Sequence, residues 1–235
     1  MVHSKKSAFT TAIILAAGAG TRMGGDVTKQ RLVINGKSVL RRAVEAFVLS
    51  PVINSVVVVS RNDEIEFAKE ELADISEKPI YFAIGGKNRA ESAKLGFMAI
   101  PKESEFVAIH DAARCLILPD DVSRVVESAV EFGASCAAGR VVDTIKRVDS
   151  FGGVVETVDR ENLRRMQTPQ VFSTRLYASA LQRIEDSELE FITDDCMLLE
   201  RCGVTVRTVD VGSYNFKITT KDDILYAEFL LNSRG

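Results

Sequence analysis

The sequence predicts an α/β fold, with helices on both faces of a mostly parallel sheet and one β-hairpin outside that pattern. Three observations carry this. Short apolar runs rich in Val, Ile and Ala alternate with longer stretches whose apolar residues recur at helical spacing. Within the runs successive residues are apolar, which suits strands buried on both faces. The segment 141–160 breaks the alternation with two amphipathic runs around a glycine turn.

Taken in order, strand 12–15 leads into a glycine-rich stretch, and Asn35–Gly36 reads as a tight turn. Helix 38–49 carries Val39, Leu40, Ala43, Val44, Phe47 and Val48 on one face, with Ser38 at its N-cap. Strand 55–59, helix 63–72, strand 80–83, helix 89–100 and strand 106–109 continue the alternation. Pro119 is placed to open helix 120–132 and Gly133 to close it. After strand 134–138 comes VVDTIKRVDSFGGVVETVDR at 141–160, a hairpin turning at 150–153. Its pattern fits either an arm that projects towards a partner or an extension lying on its own domain. Helices 174–185 and 194–201, the second closed by Gly203, strand 204–209 and helix 220–231 complete the chain. No internal repeat or long linker divides it, so residues 1–235 read as one domain.

Composition narrows the function. Of 235 residues, 46% are hydrophobic and 27% charged, the balance of a folded chain rather than a disordered one. Thirty Lys plus Arg against 33 Asp plus Glu leave a net charge of −3, so no bulk positive field exists to hold nucleic acid. The longest uncharged runs, 7–21 and 46–60, fall short of the roughly 20 residues that span a bilayer. Residues 1–11 lack a signal-peptide pattern and are too short for a plastid transit peptide, so a cytoplasmic location is expected. Cys115, Cys136, Cys196 and Cys202 are scattered without metal-ligand spacing and read as reduced thiols, with no structural zinc.

In doubly wound sheets ligands bind beyond the carboxyl ends of strands, so the loops there carry the chemistry. After the first strand comes AAGAGTRMG at 16–24 and then Lys29, where small residues let phosphates approach backbone N–H groups and Arg22 and Lys29 add charge. The glycines at 18, 20 and 24 miss the dinucleotide fingerprint by one residue, and Gly36–Lys37–Ser38 lacks the leading glycine of a P-loop. GGKNRAES at 85–92 opens a helix with a double glycine, expected to leave free N–H groups beside Lys87 and Arg89, with Ser92 one turn in. Asp111 ends a strand, where a carboxylate can meet a metal or a hydroxyl, while His110 reads as a packed strand residue. Thr193–Asp194 and Thr220 fit helix caps, and Lys217 reads as sitting on a short apolar strand, pointing out or towards an anion. With His3 the only other histidine, a nucleophilic triad has no support.

In order, LAAGAGTRM at 15–23, GGKNRAES at 85–92, HDAAR at 110–114, DTIKR at 143–147, QTPQ at 167–170, TDD at 193–195 and KITT at 217–220 resemble the 2-C-methyl-D-erythritol 4-phosphate cytidylyltransferase family. The resemblance runs from residue 13 to 230. It implies a Rossmann-like nucleotidyltransferase fold with a projecting hairpin arm that forms a homodimer. It also implies CTP and a polyol phosphate as substrates, with Mg²⁺ held mainly by the CTP phosphates and Asp111 as the one candidate protein ligand. Ala16, Ala17, Gly18, Arg22, Lys29, Gly86, Lys87, Ser92, Ala112 and Lys217 would then surround CTP. Asp111, Arg114, Thr168, Thr193 and Lys217, with Thr144 and Arg160 from a neighbouring subunit's arm, would hold the acceptor. Arg22, Lys29, Arg160 and Lys217 would carry the reaction as cations. The sequence departs from the family at Thr28 and Cys115, where proline is common, at Lys87, where an acidic residue is common, and at Arg164, where tryptophan is common. A ribitol 5-phosphate cytidylyltransferase and a non-catalytic nucleotide-binding protein are the rival expectations.

Overall fold

The structure, a computed structural model, describes residues 8–18 and 28–234. Strand β1 (Thr10–Leu15) precedes a small hairpin, β2 (Val33–Ile34) and β3 (Lys37–Ser38). Asn35 and Gly36 turn that hairpin at φ 47° and 76°, a pair of left-handed conformations that β-branched residues rarely enter. Ser38 then accepts from the Arg41 N–H at 3.0 Å and caps α1 (Val39–Val48). Strand–helix units follow: β4 (Ser55–Ser60) and α2 (Ile65–Glu71), β5 (Ile80–Ile84) and α3 (Arg89–Met98), β6 (Phe106–Asp111) and α4 (Pro119–Phe132). Pro119 is the first residue of α4, and Gly133 ends it at φ 88°. After β7 (Ala134–Arg140) come the arm strands β8 (Ile145–Val148) and β9 (Val154–Val158), then β10 (Arg164–Ser173), α5 (Thr174–Leu181), α6 (Asp195–Glu200), β11 (Arg207–Asp210) and α7 (Lys221–Arg234).

Seven strands form one sheet in the order β11-β7-β10-β6-β1-β4-β5. All neighbouring pairs are parallel except those of β10, which runs antiparallel to both β6 and β7. The uninterrupted apolar runs now have their reason, since alternate residues enter two separate cores. Ala12, Ile14, Val56, Val58 and Ala108 face α1, α2, α4 and α7, while Ile13, Val57, Val59, Val107 and Ile109 face α3, α5 and α6. On the second face α3 lies unusually close. A Cβ on Gly96 would stand 2.6 Å from Ile13 Cγ2 and 2.7 Å from Val59 Cγ2, so glycine there sets the depth of the helix.

Several expectations are corrected. The sequence reading left no strand at 164–173, yet β10 lies inside the sheet between β7 and β6. Its register shifts between Met166 and Gln170, where Pro169 would otherwise break a ladder. The strand expected at 204–209 lies at Arg207–Asp210, because Val204 N–H closes α6 by donating to Leu199 O at 3.1 Å around Gly203. Helix 63–72 begins as a short 3₁₀ turn, Asn62–Glu64, and helix 174–185 stops at Leu181. Lys217 is not on a strand but in the irregular segment between β11 and α7.

The hairpin settles between its two readings. Every residue from 146 to 157 is exposed, including Val148, Val154, Val155 and Phe151 at the turn, the last 96% exposed. The arm therefore stands clear of its own domain. All four cysteines are free, with Cys115, Cys136 and Cys196 buried.

Candidate active site

The carboxyl ends of β1, β5 and β6 open into one cleft of about 370 Å³, lined among others by Ala17, Gly18, Lys29, Gly86 and Lys87. Two loops form its walls and touch each other. A Cβ on Gly85 would stand 2.4 Å from Ala17 Cβ, so only glycine lets the β5 loop reach the β1 loop. Asn88 caps α3 by accepting from Glu91 N–H at 2.8 Å. The double glycine does not leave free donors as expected. Gly85 N–H donates to Ser60 O, Gly86 N–H to Ser92 Oγ at 3.1 Å and Lys87 N–H to Glu91 Oε2 at 2.7 Å. Ser92 in turn donates to Asn88 O at 2.8 Å, so its hydroxyl fastens the loop while lining the cleft. Opposite, Gln30 donates its side-chain amide to the carbonyls of Ala16 and Gly18, bracing the β1 loop from behind.

Charge in the cleft is organised around Asp111 at the end of β6. Its Oδ1 accepts from Arg89 Nε at 2.9 Å and its Oδ2 from Lys217 Nζ at 2.8 Å. Burial alone would raise this carboxyl, but the Arg89 guanidinium and then the Lys217 ammonium outweigh it and hold it well below the usual carboxylate range. Lys29 Nζ donates to Ile218 O at 3.3 Å, which brings both lysines to the same corner. That corner is tied to β6, since Ile218 N–H donates to Ala113 O at 2.8 Å.

Behind it, Thr168 Oγ1 accepts from Asp111 N–H at 3.1 Å and lies 2.9 Å from His110 Nδ1. Burial pushes the His110 imidazole down to about 3, so it is neutral. A neutral ring that takes the Thr168 proton at Nδ1 donates from Nε2 to Arg114 O at 3.2 Å. His110 is thus a packed strand residue, bonded within the protein. Arg114 Nη1 donates to Asn215 O at 2.9 Å, and Asn215 is buried against Gln167 and Thr168. Small residues at the rim and the convergence of Lys29 and Lys217 give this cleft a lining that suits a polyanion.

Residues 10–233 match the family model described as IspD: 2-C-methyl-D-erythritol 4-phosphate cytidylyltransferase. The chain belongs to this family. It is 37% identical over 222 residues to the 2-C-methyl-D-erythritol 4-phosphate cytidylyltransferase of Endomicrobium trichonymphae, covering 94% of this chain and 98% of that one. Among solved structures, the 4-diphosphocytidyl-2C-methyl-D-erythritol synthase of Anaerococcus prevotii superposes with a TM-score of 0.83 at 27% identity, over 96% of this chain and 97% of that one. The Francisella tularensis 2-C-methyl-D-erythritol 4-phosphate cytidylyltransferase gives 0.78 at 29% identity, over 94% and 99%.

Against this cytidylyltransferase frame, the cleft gathers Ala17, Gly18, Lys29, Gly86, Lys87, Ser92, Asp111 and Lys217 of the residues named from sequence. Arg22 lies outside the described residues. Ala16 and Ala112 are buried one step behind the lining; their N–H groups donate to Val59 O and Leu15 O, so they shape the wall from within. Thr168 and Arg114 sit behind Asp111 as described. Thr193 is exposed beside the α6 cap, its hydroxyl 3.6 Å from Met197 Sδ, and does not line the cleft. Thr144 and Arg160 are exposed at the base of the arm, where Arg160 donates to Val142 O. The sequence reading missed Gln30 and Asn88 and left Arg89 out of the site, although GGKNR put Asn88 and Arg89 in view. Asp195 belongs to the TDD motif at 193–195, which gave it no role of its own. Its side chain is buried and bonds Arg89 at 2.7 Å and Tyr177 OH at 2.6 Å.

Proposed function

We propose that this enzyme joins CTP to 2-C-methyl-D-erythritol 4-phosphate, giving 4-diphosphocytidyl-2-C-methyl-D-erythritol and pyrophosphate, a step of non-mevalonate isoprenoid biosynthesis. Family membership supports the substrates. The observation that carries the chemistry is the convergence of Lys29 and Lys217 on one corner of a small-residue cleft.

The acceptor's phosphate monoester is largely ionised at neutral pH, so its attack on the α-phosphorus of CTP requires no general base. The P–O bond to pyrophosphate breaks as the new P–O bond forms. The task for the protein is to bring two polyanions together and hold them in line. Lys29, with Arg22 seven residues before it in the sequence, stabilises charge at the transferring phosphoryl group. Lys217 steadies the incoming phosphate, and Arg160 and Thr144 reach the acceptor from a second subunit's arm in a homodimer. A projecting arm with bare Val148, Phe151 and Val154 supports that assembly.

Bound Mg²⁺ supplies further neutralisation of the triphosphate. Among the described residues Asp111 is the one carboxylate lining the cleft, and no group of three or more His, Cys, Asp or Glu is arranged to hold an ion. The nucleotide's own phosphates would hold such a cation, and Asp111, whose two oxygens accept from Arg89 and Lys217, would bind it only by giving up one of these contacts. We place the enzyme in the cytoplasm; among the described residues no helix is long and apolar enough to cross a membrane.

The test is pyrophosphate release from CTP and Mg²⁺ with 2-C-methyl-D-erythritol 4-phosphate and D-ribitol 5-phosphate in parallel. Strong preference for the first is expected. Preference for ribitol 5-phosphate overturns the acceptor assignment, and silence with both overturns the activity.

A further inference from the structure

We propose that Arg89 is a positioning residue for this transfer: anchored by Asp195 and Tyr177, it fixes the Asp111 carboxylate, which in turn places the Lys217 ammonium in the cleft. The proposal rests on reading the cleft as a cytidylyltransferase site.

The geometry is a continuous relay. Arg89 is the first residue of α3, directly after the Asn88 cap, so the helix start fixes where its side chain leaves the backbone. Its planar fork spans two carboxylates on two other elements, Nε to Asp111 at 2.9 Å and Nη1 to Asp195 at 2.7 Å. Asp195 is itself held from three directions. Tyr177 OH donates to its other oxygen at 2.6 Å, its N–H donates to Gln170 Oε1 at 2.8 Å, and Asp194 caps the helix that carries it. Tyr177 is fully buried, stacked on Phe172 with ring centroids 5.6 Å apart, so the far end of the relay is anchored in the second core. At the near end, the free edge of Asp111 meets Lys217 at 2.8 Å.

A purely stabilising role explains this arrangement poorly. Arg89 is partly buried between two largely buried carboxylates, and drawing such charges out of water carries a desolvation cost that leaves little more stabilisation than apolar packing of the same volume. Here the charged chain ends on a cleft lysine. Arginine suits the place because one rigid fork reaches both carboxylates in fixed directions, whereas an ammonium is a point charge on a flexible stem. If the Asp111 carboxylate swings, Lys217 moves with it, and a displacement of about 1 Å at a reacting group costs on the order of 10²-fold.

The experiment is a double-mutant cycle with Arg89→Lys and Asp111→Asn, singly and together, read as kcat and KM for CTP and as CTP affinity by calorimetry without acceptor. Arg89→Lys is expected to lower kcat about tenfold while KM for CTP changes less than about threefold. In the Asp111→Asn background the same change is expected to alter kcat less than about twofold, because the group through which Arg89 acts is gone. Equal factors in both backgrounds would overturn the proposal, since a staple that merely holds the fold acts alike in both. Should Arg89→Lys fail to fold, Tyr177→Phe replaces it in the cycle, with the ring kept and only the hydroxyl on Asp195 lost. Wild-type protein that binds CTP yet releases no pyrophosphate would refute the function instead. The cycle is then read at Lys217 itself, from the NMR shift of its ε-carbon in the four proteins, where additivity again overturns the relay and non-additivity sustains it.

Discussion

Lys29 and Lys217 reach one corner of the cleft from distant parts of the chain, and their value lies in charge. Lys29→Ala is expected to lower kcat about 10²-fold or more, as loss of one preorganised cation at a transferring phosphoryl group does. Steady-state pyrophosphate release checks this, and unchanged turnover would remove Lys29 from the reaction. His110 makes a prediction about stability. Packed 4.8 Å from the Phe47 ring and held neutral, its imidazole titrates near 3 rather than near 6.5. Between those values the unfolded chain binds a proton that the native one does not, so stability falls as pH falls through that window. Urea unfolding should show this group contributing a slope of up to about 1.4 kcal/mol per pH unit, and His110→Gln should remove that contribution. A variant with the wild-type slope would refute it. At this scale the residues on strand ends and glycine loops, such as Asp111, Lys29 and Gly86, were legible because their neighbours in sequence announce the loop. The Arg89–Asp195–Tyr177 relay was not, because its partners meet only through the tertiary fold.

Among the elements, α3 carries the heaviest constraint. A methyl on Gly96 would press on Ile13 and Val59 at 2.6 and 2.7 Å, both fully buried. Overpacking of this kind costs about 1–3 kcal/mol, against at most about 1 kcal/mol gained from alanine's better helix propensity. Gly96→Ala should therefore lower the unfolding free energy in chemical denaturation, and a stabilised variant would contradict the tight seating of α3. The parallel strands β1, β4, β5 and β6 were readable because each carries an unbroken apolar run, and Ser38, Pro119 and Gly133 marked helix ends by their chemistry. β10 escaped notice for a physical reason. Its first half, Arg164–Gln167, is polar, and Pro169 argues against a central strand unless a shift in register takes it up, as happens between Met166 and Gln170. Only Val171 and Phe172 keep the buried-strand signature.

For the whole molecule, the arm is the feature with most at stake. It exposes apolar residues on both strands and carries Arg160 and Thr144 on its flanks. If it serves the neighbouring subunit's cleft, an inactive Lys217→Ala chain and an inactive Arg160→Ala chain should complement each other. Random exchange of subunits then gives one intact site in each mixed dimer, about a quarter of wild-type activity, after mild unfolding and reassembly. No recovery, from samples shown by sedimentation to be mixed dimers, would place Arg160 in its own subunit's site or outside the reaction. The central claim, that the cleft makes a new bond between two phosphates, is tested most directly by following the phosphorus nuclei. With CTP, Mg²⁺ and 2-C-methyl-D-erythritol 4-phosphate, ³¹P NMR should show the acceptor monoester signal giving way to a coupled diphosphate pair, with pyrophosphate formed in equal amount. Loss of CTP with the monoester signal intact, or no change in either, would contradict the account.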